Sequence, residues 1–193
     1  MIHYVSPERR VEILINTKEG VYEPSDDTFL LLDSLDHAER PLGSALELGT
    51  GTGIIAIYGA KRGARVTATD INEETLALAK ENASLNGVAE RIEFVKSDLF
   101  DNVDGSFDTI IFNPPYLPEE EPRDVALDGG KKGYELAERF LKDMPKHLEN
   151  DGRCYLLLSS IDKPESLLKR YKHRAMAEKR FFFERLYVFE ILL

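Results

Sequence analysis

The sequence has one cysteine among 193 residues, no tryptophan, and no apolar run long enough to cross a membrane. The single thiol, Cys154, lies within an apolar segment and excludes a framework of disulfides, which favours a reducing, cytoplasmic compartment. No basic segment followed by an apolar one opens the chain, so no secretory leader is expected. These absences predict a protein of the cytoplasm without a membrane partner.

An excess of positive charge is also absent. Lys and Arg number 25 against 35 Asp and Glu, which gives a formal net charge of −10. Proteins that bind nucleic acid through its phosphates usually carry a basic footprint. Direct binding to DNA or RNA is therefore disfavoured, and the length predicts one domain, residues 1–193, with a core of its own.

Strand-like and helical segments alternate along most of the chain, which predicts an α/β fold with a mostly parallel sheet covered on both faces. The predicted strands are a weak one at 11–15 and clearer ones at 45–48, 66–69, 92–95, 107–112, 154–158, 175–180 and 186–192. The predicted helices are 26–37, 54–61, 73–85, 134–148 and 164–172.

The segment Asn113-Pro114-Pro115-Tyr116 follows the apolar strand 107–112. The two prolines fix the backbone and have no N–H, so the segment mainly offers carbonyl acceptors. Asn113 adds an amide that donates and accepts, and Tyr116 adds a flat ring. Rigid acceptors beside an aromatic face suit a planar NH2 group, such as a carboxamide or the exocyclic amine of a base. The alternative is a turn that only ends the strand.

A glycine-rich turn, Glu47-Leu48-Gly49-Thr50-Gly51-Thr52-Gly53, joins the predicted strand 45–48 to a helix. The dinucleotide fingerprint fails because Ile54 occupies its third glycine position, and no Gly-Lys-Ser/Thr follows as a P-loop requires. Glycines there let a ligand approach the backbone, and no basic residue is near. The turn suits a zwitterionic amino-acid group with Glu47 facing its cation, or else it is a tight turn without a ligand.

Acidic residues close the next two predicted strands. Asp70 ends the second strand about twenty residues after the glycine turn, where a carboxylate typically binds ribose hydroxyls. Asp98 follows the third strand and is placed to receive an amino group. Taken singly, these residues also suit a helix cap and an ordinary loop. Because the carboxyl ends of parallel strands meet at one edge, we expect Glu47, Asp70, Asp98 and Asn113 to converge.

Together these residues resemble the class I S-adenosylmethionine-dependent methyltransferases, and Asn113–Tyr116 resembles the motif of the branch that methylates amino groups. Residues 21–32, Val-Tyr-Glu-Pro-Ser-Asp-Asp-Thr-Phe-Leu-Leu-Leu, are similar to the archaeal and eukaryotic release-factor glutamine methyltransferases, which are HemK-like. Asp128-Gly129-Gly130 with Gly133 is similar to that family too. The resemblance implies a Rossmann-like sheet of seven strands in the order 3-2-1-4-5-7-6.

The resemblance also implies a role for each matching position. The cofactor S-adenosylmethionine would contact the following residues: Thr28, Glu47, Gly49, Gly51, Asp70, Ile71, Asp98, Leu99 and Asn113. Within this set, Asp70 would hold the ribose, and Asp98 and Leu99 the adenine. Residues 1–40 are expected to form an N-terminal extension and a helix closing over the cofactor site, although the segment up to Gly20 departs from the family and takes no role from it. Asn113 and the Pro114 carbonyl would bind the acceptor NH2, flanked by Pro115 and Tyr116. Asn113, Pro114 and Tyr116 would be catalytic, and no metal is implied.

The acceptor implied by the resemblance is the glutamine of the Gly-Gly-Gln motif of a peptide-chain release factor. An N6-adenine methyltransferase, a protein lysine methyltransferase and a non-catalytic cofactor-binding subunit stay as alternatives. The family also implies a small zinc-binding activator docked along the sheet edge at residues 92–95. Residues 117–133 are either a functional or a solvated acidic loop, whereas packing in the core is favoured over an exposed patch for Phe181–Phe183.

Overall fold

The structure is a computed structural model that describes residues 1–115 and 134–193. The chain begins with an antiparallel hairpin in which β1 (Ile2–Val5) pairs with β2 (Glu12–Ile15). No helix within the described ranges is long and apolar enough to span a bilayer.

A second sheet of seven strands forms the centre of the molecule and confirms the α/β class with a mostly parallel sheet. Its strands are β3 (Ser44–Leu48), β4 (Arg65–Asp70), β5 (Ile92–Lys96), β6 (Phe107–Phe112), β7 (Leu148–Ser159), β8 (Lys172–Arg180) and β9 (Arg185–Leu192). The spatial order is β5-β4-β3-β6-β7-β9-β8, with only β9 antiparallel to its neighbours. The strand numbers here include the two strands of the hairpin. When only the seven strands of the sheet are numbered along the chain, the order is 3-2-1-4-5-7-6.

Helices cover both faces of this sheet. They are α1 (Asp26–Asp36), α2 (Ile54–Lys61), α3 (Glu73–Leu85), α4 (Glu135–Asp143) and the short α5 (Pro164–Leu167). Consecutive strand residues point to opposite faces, and in β6 Ile111 joins the core under α1 and α2. Its neighbours Ile110 and Phe112 join a second core with Phe140 of α4. The near-continuous apolar strands follow from burial on both faces.

Several predicted boundaries were wrong at the C-terminal half. Helix α4 ends at Asp143 instead of continuing to residue 148, and a 3-10 turn, Met144–Lys146, carries the chain into β7. Pro145 explains the break, because a proline has no N–H to donate to the carbonyl four residues before it. That carbonyl, of Leu141, accepts from the Tyr171 hydroxyl at 2.6 Å instead. Helix α5 stops at Leu167, five residues before the predicted end, and β1 was not predicted at all.

Two asparagines attach the N-terminal hairpin to α3. The Asn82 amide donates to the carbonyls of Asn16 and Thr52, at 3.0 and 2.9 Å, and its oxygen accepts from Asn16 N at 2.9 Å. Asn86 makes the equivalent pair of bonds with the backbone of Leu14, at 2.7 and 3.0 Å. The segment after the hairpin is thereby directed to the glycine turn.

Candidate active site

One edge of the sheet holds three of the predicted site residues, Glu47, Asp70 and Asn113. Strands β3 and β6 run parallel with Leu48 beside Phe112, and β4 and β5 run parallel with Asp70 beside Lys96. Their carboxyl ends therefore share an edge, where α/β proteins usually bind ligands.

The glycine turn between β3 and α2 passes through the left-handed region three times. The φ angles of Gly49, Gly51 and Gly53 are 62°, 53° and 83°. A side chain would strain the backbone there. The turn is held to the end of β4, since Thr50 N donates to the Thr69 carbonyl at 2.8 Å and Gly51 N to Asp70 Oδ2 at 3.2 Å. Hydrogen bonds within the protein therefore fix the position of the turn relative to β4.

Glu47 is a buried carboxyl at the end of β3, with 2% of its surface exposed. Burial raises its pKa to about 8, the Thr50 hydroxyl and an Ala56 backbone bond oppose the rise, and the nearby charge of Asp70 adds to it. Thr50 Oγ1 donates to Glu47 Oε2 at 2.6 Å. No ion pair with Glu47 occurs within the described residues. A cationic group bound beside Glu47 would provide a positive charge and favour the ionised form of this carboxyl.

Asp70 forms the next part of the edge. Its carboxylate accepts from the backbone N–H groups of Gly51 and Asn72, at 3.2 and 3.0 Å. Burial raises the pKa of Asp70, and these backbone bonds partly offset the rise. The adjacent Ile71 leaves 52% of its side chain exposed, an apolar surface next to the carboxylate.

Asp98 lies two residues beyond the end of β5 and already has a partner. Arg139 Nη2 of α4 donates to Asp98 Oδ2 at 3.0 Å, and both side chains are about half exposed. The following residue, Leu99, has a φ of 49°, and its carbonyl accepts from Ser97 Oγ at 2.8 Å. The loop after β5 is therefore fixed by its own hydrogen bonds, and a ligand at Asp98 would share the carboxylate with an arginine.

Asn113 has one half of its side-chain amide engaged and the other half free. Its Nδ2 donates to Asp27 Oδ2 at 3.0 Å, whereas Oδ1 is buried and has no hydrogen-bond partner within residues 1–115 and 134–193. Buried polar atoms without partners are rare in native proteins and often mark function. Pro114 is buried and Pro115 half-buried, while Tyr116 falls outside the described residues.

The start of α1 completes this corner of the site. Asp27 is buried and accepts from the Tyr22 hydroxyl at 2.9 Å as well as from Asn113. Thr28, the expected cofactor contact, donates to Asp27 Oδ1 through its backbone at 2.6 Å and its hydroxyl accepts from Ser25 N at 3.4 Å. Sequence reasoning did not place Asp27 in the site and missed its contact with Asn113.

Phe182 and Phe183 do not pack in the core, and the prediction that favoured packing was wrong. Their side chains are 92% and 90% exposed in the turn between β8 and β9. The two rings meet edge to face, with 4.5 Å between their centroids. The reason is that β8 already ends at Arg180, so these residues form the turn and not a strand.

Within the part of the chain that the structure describes, no cluster of three or more acidic, His or Cys side chains is arranged to hold a metal.

Sequence comparison finds a match between residues 12–182 and the family described as the methyltransferase small domain. A putative protein N5-glutamine methyltransferase of Methanocaldococcus jannaschii is 43% identical over 159 residues, covering 79% of each chain. Methyltransferase HEMK2 of Mus musculus is 36% identical over 172 residues, covering 81% of this chain and 79% of the relative.

Two solved structures share the fold. The Mtq2–Trm112 complex of E. cuniculi, described as responsible for methylation of the eRF1 translation termination factor, superposes with a TM-score of 0.74 at 28% identity. The match covers 90% of this chain and 98% of that one. A 16S rRNA N2 G1207 methyltransferase of T. thermophilus, solved with AdoMet and guanosine, gives a TM-score of 0.76 at 19% identity over 100% of this chain and 50% of that one, which shows the fold alone.

Proposed function

The chain belongs to the methyltransferase small domain family, and we propose that it transfers a methyl group from S-adenosylmethionine to the glutamine side chain of a peptide-chain release factor. The observation that carries the proposal is the Oδ1 of Asn113, which is buried and has no partner among the described residues, and which is an acceptor suited to a planar NH2 group. The Methanocaldococcus jannaschii relative, named as a putative protein N5-glutamine methyltransferase, supports the same choice of acceptor.

The residues at the sheet edge fit the proposed cofactor. The buried carboxyl of Glu47, with its pKa raised to about 8, suits the cationic amino group of a methionine moiety. Gly49 and Gly51 leave the backbone open to it, and Asp70 is placed for the ribose hydroxyls. Ile71 and Leu99, with Asp98, would form the adenine side. When bound, S-adenosylmethionine supplies an electrophilic methyl group.

The chain's own contribution to the reaction is to hold an amide nitrogen in place. Such a nitrogen is a poor nucleophile, since its lone pair is delocalised into the carbonyl. Two fixed acceptors, Asn113 Oδ1 and the Pro114 carbonyl, would bind both hydrogens, raise the electron density on nitrogen and orient it. Orientation alone reaches effective molarities of roughly 10⁵–10⁸ M. No strong base is required, because the proton becomes acidic once the nitrogen is methylated. Tyr116 is proposed to pack on the amide plane.

Glutamine is favoured over adenine by charge as well as by similarity. The net charge of −10 opposes binding to phosphates, whereas a protein substrate does not require a positively charged binding surface.

The test is to incubate the protein with cofactor carrying a labelled methyl group and, separately, release factor, tRNA, DNA or a lysine-rich protein. We expect label in release factor only, and none when its Gly-Gly-Gln glutamine is replaced by glutamate, which has no NH2 group. Labelled nucleic acid would refute the proposal.

A small activator subunit is proposed to dock at strand β5. This strand lies at the end of the sheet and pairs with β4 alone among the described strands, so its other side offers backbone groups to a partner. The Trm112 partner in the E. cuniculi complex supports the idea, and zinc binding by such a subunit is part of the proposal. Gel filtration of the two proteins mixed should give one peak. Separate elution at micromolar concentration would exclude the proposed docking.

A further inference from the structure

We propose that Asp27 is a positioning residue that fixes the orientation of the Asn113 amide, so that its oxygen and not its NH2 group faces the acceptor nitrogen. The inference rests on the proposed function for the identity of that acceptor. The hydrogen bond between Asn113 and Asp27 on which it depends lies within the protein and involves no substrate.

The carboxylate of Asp27 is surrounded by donors. Its Oδ2 accepts from Tyr22 OH at 2.9 Å and from Asn113 Nδ2 at 3.0 Å. Its Oδ1 accepts from the backbone N and the hydroxyl of Thr28, at 2.6 and 3.2 Å. With 3% of its surface exposed, the group makes these bonds away from water, where they are stronger. The carboxylate is therefore held in one place by the start of α1.

This arrangement selects one of the two orientations of the Asn113 amide. An ionised carboxylate has only acceptor oxygens, whereas an amide has a donor side and an acceptor side. Turning the amide over would place Asn113 Oδ1 against Asp27 Oδ2, two acceptors in contact. It would also present NH2 to the NH2 group of the substrate, where neither can accept. Asp27 thus keeps Oδ1 available although it does not touch the reacting atoms.

The decisive substitution is Asp27→Asn, which preserves shape but adds a donor, so that both orientations of Asn113 become possible. Asp26→Asn is the matched control: it removes one negative charge from the same helical turn, but Asp26 pairs with Lys179 Nζ at 2.9 Å. For Asp27→Asn we expect single-turnover methyl transfer at saturating cofactor to fall about 10- to 100-fold, as for small misplacements of reacting groups. The cofactor Kd, measured by calorimetry, should change less than about two-fold. Asp26→Asn should match the wild type in both.

A double-mutant cycle separates positioning from general damage. In an Asn113→Ala background, Asp27→Asn should cause no further loss, because the residue on which Asp27 acts is gone. A full additional loss would overturn the proposal. So would an unchanged rate in the single variant.

A second readout requires no substrate. In ¹⁵N-labelled protein, the Asn113 side-chain NH2 signals, assigned by their absence in Asn113→Ala, should exchange slowly in the wild type and faster in Asp27→Asn. Equal exchange rates in the wild type and in Asp27→Asn contradict the proposal. If the wild type exchanges slowly as expected but does not label release factor, the result counts only against the proposed function. If Asp27→Asn fails to fold, the wild type alone decides: Asn113 NH2 signals that exchange as fast as those of solvent-exposed asparagine side chains contradict the proposal.

Discussion

Glu47 makes the stability of this protein depend on pH in a direction opposite to that of most carboxylates. Its pKa in the folded chain is about 8, above the ordinary value of 4.5. The folded state therefore holds the proton more tightly than the unfolded state does. The stability associated with the neutral carboxyl is fully present below pH 4.5, decreases as the pH rises, and is lost once the pH passes about 8.

The size of the effect follows from the same two values. Each unit of pKa difference corresponds to about 1.36 kcal/mol, so between pH 5 and pH 7 the free energy of unfolding should fall by about 2.5 kcal/mol through this group. Glu47→Gln keeps the shape and removes the titration. Urea unfolding of both proteins between pH 5 and pH 7 should show that the free energy of unfolding of the wild type falls by about 2.5 kcal/mol more than that of the variant. The surface substitution Glu90→Gln is the control and should follow the wild type.

Equal pH dependence in wild type and Glu47→Gln would refute the reasoning, since it would mean that burial does not oppose ionisation of this carboxyl. The cofactor offers an independent check. A cation bound at Glu47 lowers its pKa, so binding near pH 7 should release a proton, detected by calorimetry in buffers of different ionisation enthalpy. That released proton should be missing in Glu47→Gln, which we also expect to bind the cofactor more weakly.

Three further substitutions test other parts of the site, and a fourth, Gly87→Ala, is a control outside it. Asn113→Ala should lower turnover by about 10²–10³-fold, the cost of one preorganised polar partner, while calorimetry finds cofactor binding retained; joint collapse of both would contradict the division of roles. Asp70→Ala should do the reverse and weaken the cofactor Kd by about 10- to 100-fold through loss of charge-assisted hydrogen bonds, and an unchanged Kd would exclude the ribose assignment. Gly53→Ala should destabilise the fold by about 2–3 kcal/mol in urea unfolding, because its φ is 83° and its new Cβ would lie 3.0 Å from Ala79 Cβ. Gly87→Ala, with φ of 70° and open space around it, should cost only about 1 kcal/mol.

The fold could be predicted from the sequence wherever the deciding signals are local. The bounds of α2 and α3 were predicted correctly because Asn72 and Asn86 mark the ends of α3 and glycines mark the start of α2. Strand β1 was missed because it is four residues long, half exposed and defined only by its pairing with β2. The early end of α4 follows from Pro145, a signal that was present but outweighed by the apolar periodicity.

The candidate site divides in the same way. Glu47, Asp70 and Asn113 could be placed together because each ends a strand and parallel strands share an edge. The contacts of Asp98 with Arg139 and of Asn113 with Asp27 could not, since they depend on how α4 and α1 lie on the sheet. No local pattern encodes such helix placement, which is decided by the packing of the two cores.

The bond between Asp27 and Asn113 also constrains the order in which the protein matures, because it joins residues 86 positions apart in the chain. Contacts of such separation form late, after the entropy of closing a long loop has been overcome. Translation supplies the residues of β3, β4 and β5, and with them the glycine turn and Asp70, before it supplies Asn113. Most residues of the proposed cofactor site are therefore synthesised before the side chain that is proposed to bind the acceptor.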